Sequence, residues 1–170
     1  MTKWEQIQYK IVTQEEAKAI ITSWKDNDEI VVFTNGCFDI LHRGHVTYLA
    51  KAASEGDFLV VGVNSDASVR RLDKGANRPV NDEESRALIV ASLEAVDLVI
   101  VFEKDTPKEL IEFIEPSILV KGADYDAKIQ DPKNPKYIVG SNEMREIGGK
   151  VMTIPLEEGY STTGLIQKLK

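Results

Sequence analysis

With 170 residues, 42% of them hydrophobic and 29% charged, the chain has room for one substantial core and is unlike a disordered or membrane-embedded sequence. A formal net charge of −7 disfavours general attraction to nucleic acid, and the single cysteine excludes an internal disulfide. No apolar run approaches a membrane span, and the opening MTKWEQIQYK lacks a signal-peptide core, so the expected location is cytoplasmic, with no membrane partner.

In chain order, TQEEAKAIITSWKDND reads as a helix opened by Thr13, with Glu16 placed for a capping box. EIVVFTN is a short buried strand, and a helix from about Arg43 to Ser54 follows, stopped by Gly56. FLVVGVN is a second strand and SDASVRRL a short helix. NDEESRALIVASL is a helix beginning near Asn81, with Glu84 placed to close its cap, and DLVIVF is the third strand. TPKELIEFI has Thr106 as N-cap, Pro107 in the first turn and Glu109 closing the box. SILVKG, NEMREI, KVMTIP and STTGLIQKL complete the series as strand, helix, strand and helix. DAKIQDPKNPKYIVG between them is an irregular loop.

Short apolar strands alternating with helices predict a parallel sheet covered on both faces. Right-handed crossovers make it a Rossmann-like, doubly wound five-stranded α/β fold of three layers, with ligands beyond the carboxyl ends of the strands. Residues 1–170 are expected to form one domain, with 1–28 as an N-terminal helical extension.

TNGCFDILHRGH (34–45) runs from the end of the first strand into a helix and holds both histidines of the chain. It lacks the spacing of a dinucleotide fingerprint and of a Walker loop. Gly36 permits unusual backbone geometry, and Gly44 would let a ligand approach the helix start. His42 and His45, three apart, can project to one side of the first turn toward an anion. A zinc site would want a third ligand and a standard spacing, neither of which His-x-x-His beside Cys37 and Asp39 supplies. A Cys37 nucleophile would have its base unusually close in sequence.

The helices opened by Thr13, Asn81 and Thr106 each carry a glutamate three residues on. Those after Leu41 and Tyr160 carry none, which leaves two open N-termini on one sheet edge, the second with Ser161, Thr162, Thr163 and Gly164. Such a pair suits a polyphosphate, or water alone caps both. Arg70, Arg71, Lys74 and Arg78 form a short basic segment that reads either as a solvated loop or as a local anion site.

HRGH matches the HxGH signature of the nucleotidyltransferase superfamily, and GCFDILHRGH resembles its cytidylyltransferase-like branch. FTNGCFDILHRGHVTYL, NSDASVRRL with RPVND, LVKGADY and EGYSTTGLI together resemble the adenylyltransferases that form ADP-heptose from D-glycero-β-D-manno-heptose 1-phosphate and ATP. The resemblance covers about Ile30 to the C-terminus. It implies that His42 and His45 contact the triphosphate and stabilise charge on the attacked α-phosphate. Thr34, Asn35, Gly36, Cys37, Phe38 and Asp39 would line the nucleotide phosphate site with Gly44. Lys121, Gly122 and Asp124 would face base and ribose, and Ser161, Thr162 and Thr163 would hold the β- and γ-phosphates.

From charge, Lys74 and Arg78 are sugar-phosphate candidates. Mg²⁺ is expected, with no metal ligand identified. The resemblance further implies a homodimer working with a separate heptose kinase, since a ribokinase-like kinase domain often precedes this activity and has no room here. The loop around 126–137 is longer than the family's usual link and is expected near the ligand edge. Two alternatives stay open: a glycerol-3-phosphate-type cytidylyltransferase, and a nucleotide-binding regulatory module without chemistry.

Overall fold

The computed structural model describes residues 1–170. Five parallel strands, β1 (Val31–Gly36), β2 (Phe58–Asn64), β3 (Leu98–Phe102), β4 (Ile118–Gly122) and β5 (Lys150–Ile154), form one sheet in the order β3-β2-β1-β4-β5. The first three strands build outward to one side. The chain then returns past β1 to place β4 and β5 on the other, which makes the β1–β4 seam the topological switch point.

Because side chains alternate across a strand, each face of the sheet has its own apolar set. Val32, Leu59, Val61, Val63, Val99 and Val120 pack against α3 (Arg43–Ala53) and α5 (Glu83–Ala91). Val31, Phe33, Val60, Ile100 and Leu119 pack against α2 (Gln14–Asp26), α6 (Lys108–Ile114) and α7 (Ser141–Glu146). The remaining helices are α1 (Lys3–Tyr9), α4 (Asp66–Arg71) and α8 (Thr162–Lys168). The three-layer, five-stranded parallel fold read from the sequence is the observed one.

Residues 1–28 hold α1 and α2 and are built into the fold. Ala17 and Ile21 of α2 are fully buried. α1 lies against α5, and Lys10 and Val12 exchange backbone hydrogen bonds with Val99 at the sheet edge. The separate helix α1 was not foreseen, although Thr2 and Glu5 form a capping box of the kind read at Thr13 and Glu16.

The other helix starts differ from expectation. α5 is capped by Asp82, whose carboxylate accepts the Ser85 N–H, because Asn81 is used in tertiary bonds to Asp39. Glu83, not Glu84, accepts a backbone N–H there, from Asp66. α6 begins after Pro107 with no side-chain cap, and Glu109 pairs with Lys104 instead. The two N-termini expected to be open are each met once: His42 Nδ1 accepts the Gly44 N–H, and Ser161 Oγ accepts the Gly164 N–H. Neither has an acidic residue in its first turn.

The 126–140 segment is irregular, held by Asp126, Asp131 and Asn134 accepting N–H groups two residues on. It is anchored by buried Tyr137 and Ile138, the latter in the core with Met144. It leaves the carboxyl end of β4 just after the cavity residues Asp124 and Tyr125, and none of its own residues lines that cavity.

Candidate active site

A cavity of about 550 Å³ opens over the carboxyl ends of β1 and β4, within the size range of small-molecule sites. Its walls come from the β1 turn, the start of α3, the connection after α4, the end of β4, and the β5–α8 connection. Of the residues singled out in the sequence, Asn35, Gly36, Cys37, Phe38, Asp39, His42, Gly44, His45, Lys74, Arg78, Lys121, Gly122, Asp124, Ser161, Thr162 and Thr163 all border it. Thr34 does not. It is fully buried with its hydroxyl 2.8 Å from Tyr48 Oη, because alternation along β1 turns it toward α3.

The two imidazoles stack with centroids 3.9 Å apart, and the Phe38 ring meets His45 edge-on at 5.4 Å. Burial lowers the pKa of both. His45 falls to about 4, with the charges of His42 and Lys74 adding to burial, so both rings are neutral near pH 7. Since His42 Nδ1 accepts from Gly44 N at 3.0 Å, its ring proton lies on Nε2, leaving that N–H as a donor. His45 Nδ1 is buried without a partner. Gly44 serves this geometry more directly than the expected ligand approach: a Cβ there would lie 2.9 Å from the His42 ring and 3.2 Å from Tyr160.

Asp39, which borders the cavity with the rest of the β1 turn, also ties the turn to the basic connection. Its carboxylate, 2% exposed, accepts from Arg78 Nε at 2.5 Å and from the N–H groups of Val80 and Asn81. Those bonds hold its pKa below the usual carboxylate value against the opposing effect of burial. Asp39 thereby pins the basic connection to the β1 turn. Arg78 spends Nε on this tie, and its other guanidinium nitrogens meet no acceptor in the chain. Lys121 Nζ reaches across to Asn35, and burial pushes its pKa down to about 8 despite nearby Asp124.

α8 is docked rather than free. Glu157 pairs with Arg43 at 2.9 Å and accepts from Thr47, and Arg43 lies 5.5 Å from the Tyr160 ring centroid. Thr162 donates to the Ile40 carbonyl, so its hydroxyl ties the two helix starts together. No three His, Cys, Asp or Glu side chains gather as a metal site.

The family description "Cytidylyltransferase-like" matches residues 33–168. The chain belongs to the cytidylyltransferase-like family. It is 48% identical over 163 residues, 96% of its length, to the bifunctional protein HldE of Wolinella succinogenes. It is 51% identical over 161 residues, 95% of its length, to the bifunctional protein HldE of Campylobacter jejuni. The chain spans 32% of either relative.

A solved lipopolysaccharide core biosynthesis protein from Thermoplasma volcanium superposes with a TM-score of 0.58 at 29% identity, over 78% of this chain and 99% of that one. A pantoate-beta-alanine ligase from Francisella tularensis shares the fold at 16% identity and TM-score 0.60, over 87% of this chain and 67% of its own.

Within this cytidylyltransferase-like site, sequence reasoning missed Tyr48, Tyr125, Leu156, Glu157 and Tyr160 as cavity walls. It also missed Arg86. Its fully buried guanidinium donates to the carbonyls of Cys37, Asn64 and Asn81 and pairs with Asp66. An arginine on the inner face of an otherwise apolar helix was the available signal, since such a charge must find several acceptors.

Proposed function

We propose that the chain transfers the adenylyl group of ATP to D-glycero-β-D-manno-heptose 1-phosphate, giving ADP-heptose and pyrophosphate. The observation that carries a nucleotidyl-transfer reading is one cavity at the switch point. There His42 Nε2–H, the unpartnered His45, Lys121, Lys74 and Arg78 meet with no catalytic triad. The base and sugar rest on the four stretches that resemble ADP-heptose-forming adenylyltransferases. A structural neighbour described as a lipopolysaccharide core biosynthesis protein agrees with such a product.

In the proposed reaction an oxygen of the sugar phosphate bonds to the α-phosphorus of ATP as the α–β bridging bond breaks and pyrophosphate leaves. The nucleophile is already an anion, so no base has to take a proton. Neutral imidazoles act as preorganised donors to oxygens gaining charge, while Lys121 and the basic connection offset repulsion between the two anions. Mg²⁺ would arrive with the substrate as the Mg–ATP complex; of the carboxylates bordering the cavity, Asp39 is committed to Arg78 and Glu157 to Arg43, which leaves Asp124 as the one without an ion pair. A sugar-1-kinase activity would supply the acceptor, and a homodimer completes the proposal.

Heptose 1-phosphate offered with ATP, CTP, GTP or UTP should release pyrophosphate fastest with ATP. Preference for CTP, or no turnover with any sugar 1-phosphate, would overturn the assignment. A CTP preference with glycerol 3-phosphate would establish the cytidylyltransferase alternative.

A further inference from the structure

The seam beneath the cavity is only half made. β1 pairs with β2 at six positions and β4 with β5 at five, yet β1 and β4 pair at only two, Val32 with Ile118 and Phe33 with Leu119. Beyond them the strands part, and side chains replace the ladder. Tyr48 Oη donates to the Val120 carbonyl at 3.2 Å, so its lone pair accepts from Thr34 Oγ1 at 2.8 Å. One row further on, Lys121 Nζ donates to the Asn35 carbonyl and side-chain oxygen at 3.3 and 3.1 Å.

We propose that Tyr48 is a positioning residue: its hydroxyl, wedged between Thr34 and Val120, sets how far the tips of β1 and β4 part. It thereby holds the Lys121 ammonium beside the nucleotide site.

Three features support this. Tyr48 is 9% exposed, with its ring in the core between α3 and the sheet, so its placement is rigid. Its hydroxyl has two partners in a row where a continuous parallel ladder would need none from a side chain. The row it bridges immediately precedes the one spanned by Lys121, so any change in strand separation moves the ammonium directly. Removing the hydroxyl leaves a buried carbonyl and a buried threonine hydroxyl unmet, and water entering the seam is what can meet both. That water reaches Lys121, one row further on. The groups facing that ammonium are Asn35 and Cys37 from the β1 turn, Lys74 from the basic connection, and Asp124 and Tyr125 after β4.

The proposal rests on the nucleotide-site reading, and the test separates the two. In the full chain, Tyr48→Phe keeps the ring and removes only the hydroxyl. ATP affinity is measured by calorimetry. Lys121 ionisation is followed by NMR of ¹³Cε-labelled lysine, with its resonance identified by its loss in Lys121→Met. Lys121 is charged below its midpoint near 8 and neutral above it. Rehydration favours the charged form, so in Tyr48→Phe the midpoint should climb toward the ordinary lysine value while ATP binds about tenfold more weakly.

A lower Tm alone, with midpoint and affinity as in the parent, would reduce Tyr48 to a core residue and overturn the proposal. Should that variant not fold, Thr34→Val removes one of the two bonds. It should move the midpoint the same way by less, and no movement overturns the proposal equally. Failure of the parent chain to bind ATP would sink the nucleotide reading, while the Lys121 midpoint still decides what Tyr48 does to the seam.

Discussion

His45 illustrates why a donor can be more useful than a cation in a phosphate site. Its ring is wedged between Phe38 and His42, and that burial keeps it neutral, its pKa down at about 4. A neutral imidazole costs little to desolvate and still offers an N–H where charge develops. His42→Ala or His45→Ala is therefore expected to lower kcat by about 10²–10³, the range for losing one preorganised donor. Steady-state pyrophosphate release checks this, and parental turnover in a folded variant would remove the histidines from the mechanism. The pair itself was legible in the sequence, because HxGH spacing puts both rings on one side of a helix start. The role of Asp39 was not. A carboxylate beside two histidines looks like a site group, and only its bonds to Arg78, Val80 and Asn81 reveal a structural tie across 39 or more residues.

At the scale of elements, α8 matters through its first turn. It is short, and it is held by the Glu157–Arg43 pair and the Thr162 bond to Ile40 rather than by buried residues of its own. Replacing Ser161 and Thr162 together with alanine removes the cap and that tie. The KM for ATP should rise about tenfold with a smaller change in kcat, as expected when binding rather than the transition state loses a contact. An unchanged KM, with helix content intact by circular dichroism, would remove α8 from the nucleotide site. Sequence reasoning located this helix from STTG and its missing glutamate. It could not tell that serine and histidine would serve as caps, since capping depends on the approach of side chains the spacing rule does not consider. The rule failed differently at Asn81: Asp39 competed for that residue and won, moving the cap to Asp82.

For the whole molecule, the N-terminal segment belongs to the core that supports the site. Ile21 of α2 is fully buried among Val31, Phe33 and Leu119, and Trp24 stacks on Phe58 at 3.9 Å. Ile21→Ala should cost about 2–5 kcal/mol in a denaturant titration, as for other buried aliphatic truncations. A loss below about 0.5 kcal/mol, typical of surface positions, would return residues 1–28 to the status of an appendage.

The sequence by itself determined the alternation of strands and helices, the parallel sheet, and most of the residues bordering the cavity. Period, punctuation and motif spacing are local properties that survive without coordinates. Tertiary structure alone decided that β1 and β4 part after two pairs, that Tyr48 and Lys121 bridge the gap, and that Arg86 gathers the carbonyls of Cys37, Asn64 and Asn81. These depend on which buried polar groups the fold brings together from separate segments, as distant in sequence as Asn35 and Lys121, and burial obliges each to find a partner.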